Sequence, residues 1–216
     1  MDARGANRLL GHFTIALLVF TVFAFAAKVI VHPERAARYT PLVSLHGAAM
    51  LAWMGLLASQ AYLASANRMK WHRVMGNASI SLVALMSVTG AIVAIGIAQE
   101  FGRPEVAIVN IAAFVTFIPL YFVALASARR RDMHTHRQAM LIGTLAFMTP
   151  VYARVTDIFG LPPQVAIGVQ PPLTIAIALG YEWWVLNRLT KATLWMLGYS
   201  VGLVVIMVGV LAIWFV

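Results

Sequence analysis

The chain contains no cysteine. That excludes disulfides, thiolate metal sites, iron–sulfur clusters and a cysteine nucleophile. Charge is almost as scarce, since only 11% of the 216 residues are charged and seven of them are carboxylates. A soluble domain carries about a quarter charged residues and rarely strings about 20 apolar residues together. Also missing are a P-loop, a nucleotide-binding glycine fingerprint and a nucleophile elbow. Metal or cofactor chemistry is left to six histidines, eleven methionines and those carboxylates.

What the chain has is apolar length. Hydrophobic residues make up 62% of it, and mean hydropathy is +0.85. Seven apolar stretches stand out: Leu9–Val31, Leu42–Ala66, Val74–Ala98, Val106–Ala128, Ala139–Ile158, Val165–Leu186 and Thr193–Val216. Each is long enough to cross a hydrocarbon core of about 30 Å at about 1.5 Å per residue. A backbone in hydrocarbon must satisfy its own hydrogen bonds, so each stretch is predicted to be a helix. The expected fold is one all-α transmembrane bundle of about seven helices over residues 1–216. The first stretch has the look of a signal peptide, with Arg4 and Arg8 ahead of it. Its length and His12 favour a retained helix.

The net charge of +9 is distributed unevenly. Counted on alternate sides of the spans, eleven Lys and Arg lie on one side and five on the other. Positive-inside logic puts the basic side and the N-terminus in the cytoplasm, the C-terminus outside, and Trp214 and Phe215 in the outer aromatic belt. The basic loops imply contact with anionic lipid headgroups rather than nucleic acid. The expected location is a bacterial inner membrane.

An internal repeat is visible. Leu63-Ala64-Ser65-Ala66 precedes a basic loop and His72-Arg73, and Leu125-Ala126-Ser127-Ala128 precedes another and His136-Arg137. Helices 2–3 and 4–5 are therefore expected to form parallel repeats about a pseudo-twofold along the membrane normal.

His12, His72, His134 and His136 all fall near the basic side. In a repeat, His72 and His136 sit at matching depth, which suits two axial imidazoles of a haem iron, with His12 reaching the same depth. Arg73 and Arg137 would suit propionates or lipid phosphates. For a bound transition metal the candidate ligands are His72, His136 and His46. The bland alternative is that each His-Arg pair anchors a helix end at the headgroups.

An outer polar cluster is the second candidate: His46, Asn110, Arg154 and Asp157, with Gln170 at comparable depth. Ionisable side chains inside a span are costly and mark function by default. His136 and Arg154 are eighteen residues apart, five turns of an ideal helix, and so are expected to share a face with Met140, Gly143, Phe147 and Pro150. Pro119, Pro150 and Pro171-Pro172 are expected to interrupt their helices. Retinal chemistry is excluded, because the last helix has no lysine for a Schiff base.

His46-Gly47, His72-Arg73-Val74-Met75-Gly76, Arg129-Arg130-Arg131-Asp132, His136-Arg137-Gln138-Ala139-Met140 and Arg154 together resemble a family of uncharacterised bacterial polytopic membrane proteins marked by paired His-Arg motifs at helix starts. The likeness covers residues from about 42 to 158. It is weaker to histidine-bearing membrane proteins of haem or oxidase assembly and to cytochrome b561-like bundles. The b561-like pattern implies one haem-ligating histidine on each of four consecutive helices. Here helices 2, 3 and 5 supply His46, His72 and His136, and helix 4 has none. The resemblance thus implies at most one haem b, at the inner side. Two function classes stay open. One is a histidine-ligated haem or metal redox protein, an accessory to respiration. The other is a non-catalytic subunit of a larger membrane complex, or a small-solute or lipid-binding carrier. Whether the chain is an enzyme is not settled by its residues.

Overall fold

The computed structural model describes residues 1–215, except for the side chains of Arg35, Trp214 and Phe215. The aromatic-belt expectation for Trp214 and Phe215 concerns side chains outside those described. The fold is all-α, 90% helical, with no strand among the described residues. Its helices are α1 (Ala3–Val31), α2 (Pro41–Ser65), α3 (Met69–Glu100), α4 (Pro104–Arg129), α5 (Met133–Leu145), α6 (Thr149–Ile158), α7 (Pro163–Leu186) and α8 (Lys191–Phe215). A 3-10 turn, Ala146–Met148, joins α5 to α6, so these two make one span and the total is seven. All seven are long and apolar enough to cross a membrane. The chain is an integral membrane protein.

Prolines open several of these elements. Pro41, Pro104, Pro150 and Pro163 all stand in a first helical turn, where the missing N–H has no intrahelical partner to lose. Pro119 and Pro171-Pro172 were expected to interrupt their spans, yet α4 and α7 run through them unbroken. Pro119 cannot donate to the carbonyl of Val115, four residues back. The Tyr199 hydroxyl of α8 donates to that same carbonyl at 2.6 Å. A neighbouring helix supplies the hydrogen bond that the proline withholds.

The chain divides into two compact units, Met1–Val93 and Ala94–Val216. In the first, α1 packs along α2 through a stripe at spacings of three and four: Leu10, Thr14, Leu17, Thr21 and Ala24 are buried. The Gly11 backbone lies so close to the Tyr62 ring that a Cβ there would fall 3.0 Å from it. Close approach of this kind is how helices gain packing in a solvent as apolar as their side chains.

In the second unit the α5–α6 span is the core. Some 61% of its apolar window is buried, against 22–28% for the other six spans. Leu120 and Ala124 of α4, Ala139 and Ile142 of α5, Ala178 of α7, and Met196 and Leu197 of α8 form one buried cluster. Two glutamines clasp α5 and α7 reciprocally. Gln138 donates to the Ala178 carbonyl at 3.0 Å, and Gln170 donates to the Leu145 carbonyl at 3.4 Å, where α5 ends. The 3-10 turn after Leu145 winds at 3.0 rather than 3.6 residues per turn, adding about 60° over three residues. The ideal-helix alignment of His136 with Arg154 therefore does not carry across it, although Gly143 and Phe147 are both buried.

The turns α2–α3 and α4–α5 have the same backbone. Asn67 N–H bonds to the Ala64 carbonyl (3.2 Å) and Arg68 N–H to Leu63 (2.8 Å); Arg131 N–H bonds to Ala128 (3.1 Å) and Asp132 N–H to Ser127 (2.9 Å). This is a Schellman motif in both cases, with the left-handed residue at Asn67 (φ 57°) and at Arg131 (φ 61°). Each equivalent pair, His72 and His136 included, is 64 residues apart. The two Leu-Ala-Ser-Ala runs are 62 apart, so they are not the equivalent positions. The structural register pairs Gln60 with Ala124, buried Trp53 with buried Phe117, and His46 with Asn110.

Candidate functional site

His72 and His136 stand one turn into α3 and α5. Each turns its Nδ1 onto a backbone carbonyl twelve residues earlier on the preceding helix: His72 on Gln60 at 3.2 Å, His136 on Ala124 at 2.9 Å. A carbonyl only accepts, so Nδ1 carries the proton. In the neutral ring Nε2 then holds the lone pair, the arrangement that second-shell carbonyls impose on ligating histidines. Both rings are half-buried. The expected equivalence of the two histidines thus extends to tautomer and partner.

The flanking arginines differ. Arg73 is exposed, whereas Arg137 is half-buried and close enough to Tyr181 of α7 to act on it electrostatically. In the first unit the buried Gln60 amide nitrogen has no hydrogen-bond partner, and the oxygen of the same amide lies beside Gly76, one turn beyond His72. A donor left buried and unmade is costly and fits an acceptor group of a bound molecule. His12 lies exposed on α1 and meets the Tyr62 ring edge-on at 5.8 Å.

His46, on α2, places Nδ1 3.1 Å from the Thr89 hydroxyl of α3. That hydroxyl already donates to the Leu85 carbonyl at 2.7 Å, so it must accept from His46. His46 therefore has the same tautomer as the other two. Its counterpart Asn110 spends its amide on the Val106 carbonyl of its own helix, at 2.7 Å. Arg154 likewise donates to Pro150 on its own helix at 2.7 Å, and Asp157 is exposed in the last turn of α6. Gln170, the fourth polar residue of the second unit in this group, is taken up by Leu145. Among the described residues no three His, Cys, Asp or Glu side chains gather as a metal site.

The most buried charged side chain escaped the reading of motifs. Glu182, near the end of α7, is 0% exposed. Its Oε1 lies 2.9 Å from His134 Nε2, 2.6 Å from the Thr190 hydroxyl, 2.9 Å from the Thr193 hydroxyl and 3.1 Å from the Thr190 N–H. One signal was available: Glu182 is the single charged residue between Val165 and Leu186. Outside the spans, Asp132 caps α5 by accepting the Thr135 N–H at 3.1 Å. Hydrogen bonds from the Thr135 side chain and backbone hold its carboxyl below the ordinary carboxylate value. Comparison with known protein families, with curated proteins and with solved structures finds no match for this chain.

Proposed function

We propose that this integral membrane protein is a histidine-ligated redox protein, with His72 and His136 as the residues that would hold haem b. The observation that carries the reading is the matched fixing of the two rings, each donating Nδ1–H to a carbonyl twelve residues back. A haem iron takes each protein ligand through a single imidazole nitrogen, so the absence of a three-residue metal cluster among the described residues does not bear on this reading. Bound haem would supply one-electron transfer. The chain's own residues would set ring orientation through the Gln60 and Ala124 carbonyls and meet propionates with Arg73 and Arg137. A transition metal on the same imidazoles is the variant form of this reading. His46, the third candidate metal ligand, has its Nδ1 held by the Thr89 hydroxyl.

The full chain purified from a haem-replete host tests it. The expected result is a low-spin Soret band that shifts on reduction and is lost in both His72→Ala and His136→Ala. A colourless protein that leaves the spectrum of added haemin unchanged would overturn it.

A second reading is favoured by one observation. Trp71, Trp183, Trp184 and Trp195 are all exposed, and all lie next to the basic loops. Indole and guanidinium at one level suit anionic headgroups, as in a lipid-binding carrier or a subunit of a larger membrane complex. On either reading the basic side faces the cytoplasm of a bacterial inner membrane. Reporter fusions after Ala66 and Ala128 should then read as cytoplasmic and one after Phe101 as external; the reverse pattern would remove this orientation.

A further inference from the structure

We propose that the end of the α5–α7–α8 packing nearest the basic loops is a binding site for one small monovalent cation, a proton or an alkali metal ion, held at Glu182 Oε2 with Gln138 Oε1 as its second acceptor. Glu182 and Gln138 are both 0% exposed. The Glu182 carboxylate is built asymmetrically. Oε1 is surrounded by four donors from α5 and the start of α8, whereas Oε2 is buried with no partner. Gln138 is asymmetric in the same way: its amide nitrogen is committed to the Ala178 carbonyl, and its Oε1 is buried with no partner.

These atoms belong to two adjacent rungs of the antiparallel α5–α7 pair. His134 meets Glu182 on one rung, and Gln138 meets Ala178 on the next. The two rungs are four residues apart on each helix, about 6 Å. Helical side chains lean toward the N-terminus of their own helix, so Glu182 leans toward the Gln138 rung and Gln138 toward the Glu182 rung. Both unpartnered atoms are acceptors, one of them on a carboxylate. Two buried acceptors call for positive charge between them. A proton on Oε2 would let it donate to Gln138 Oε1; an alkali ion would bind both oxygens.

The other charged groups of the surrounding elements do not supply that charge to Oε2. His134 gives its Nε2–H to Oε1. Arg137, which acts on Tyr181 of α7, makes no hydrogen bond to Oε2, and Arg188 and Lys191 are exposed. An ionisable group buried inside a bundle is a functional candidate by default.

The test uses the full chain in lipid nanodiscs, with infrared spectra across pH and melting in choline, sodium and potassium chloride. A protonated-carboxyl band that titrates and vanishes in Glu182→Gln identifies a proton. A melting temperature that rises with sodium or potassium over choline, and no longer does so in Glu182→Gln, identifies an alkali ion. Should that variant not fold, Gln138→Leu keeps the carboxylate and should shift the cation or pH midpoint about tenfold, one charge-assisted contact's worth. A carboxylate that stays ionised, with melting indifferent to pH and to all three salts, would overturn the proposal and leave the space to water.

Discussion

The hairpins α2–α3 and α4–α5 share a turn, a helix start and a histidine device, yet they do different work. In the first, only 28% of the apolar stretch of α3 is buried, the same share as in α2. In the second, α5 is enclosed by α4, α7 and α8, and its span is more than twice as buried as any other. The positions after the histidine record the split: Val74 and Met75 in the first hairpin stand where Gln138 and Ala139 stand in the second. Gln138 reaches across to α7, and Ala139 lets the helices close. What recurs is backbone geometry that does not depend on surroundings. What diverges is the set of side chains that decides how many neighbours a helix can accept.

The comparison breaks first at its most packed point. Ala139 is 0% exposed, and Met75 is its half-buried counterpart. Ala139→Leu should cost about 3 kcal/mol by overpacking and Met75→Leu under about 1 kcal/mol, read as shifts of thermal melting in detergent. Equal costs would mean that the two helices are equally enclosed. A smaller effect sits in the turns. Arginine in the left-handed region costs about 1 kcal/mol that asparagine largely avoids. Arg131→Gly should accordingly raise stability by about 1 kcal/mol, and Asn67→Gly by less. Smallest is the cap. Where Asp132 caps α5, the first hairpin has Arg68. The Asp132 carboxyl titrates below its ordinary 3.8. Its contribution is therefore complete above that value and lost as pH falls through the lowered one. On acidification the Thr135 amide should lose exchange protection while the start of α3 is unaffected, and Asp132→Ala should cost about 0.5 kcal/mol at neutral pH.

Seven spans were legible because hydrocarbon admits few backbone solutions, and apolar length alone selects the helix. The His-Arg repeat was legible as a motif, but its register was not. Leu-Ala-Ser-Ala matches by composition, while the true equivalence rests on which residue takes φ near +60°, a property that Asn67 and Arg131 do not advertise. The outer cluster read as a group because its members share depth; in the structure Asn110 and Arg154 turn back on their own helices. Glu182 stayed hidden because its partners come from α5 and the start of α8, with Thr190 and Thr193 arriving from beyond the end of α7. A single carboxylate in a span has no spacing to detect.

The Tyr199 hydroxyl that meets the Val115 carbonyl has a consequence for biosynthesis. The two residues are 84 positions apart. At about 5–20 residues per second, the ribosome delivers the donor roughly 4–17 s after the acceptor. During that interval α4 is already in lipid with one carbonyl that its own Pro119 cannot satisfy. Nascent chains halted before α8 should therefore linger at the insertion machinery or fall to membrane proteases, while chains that include Tyr199 escape. The last span is thereby a timed release for the fourth.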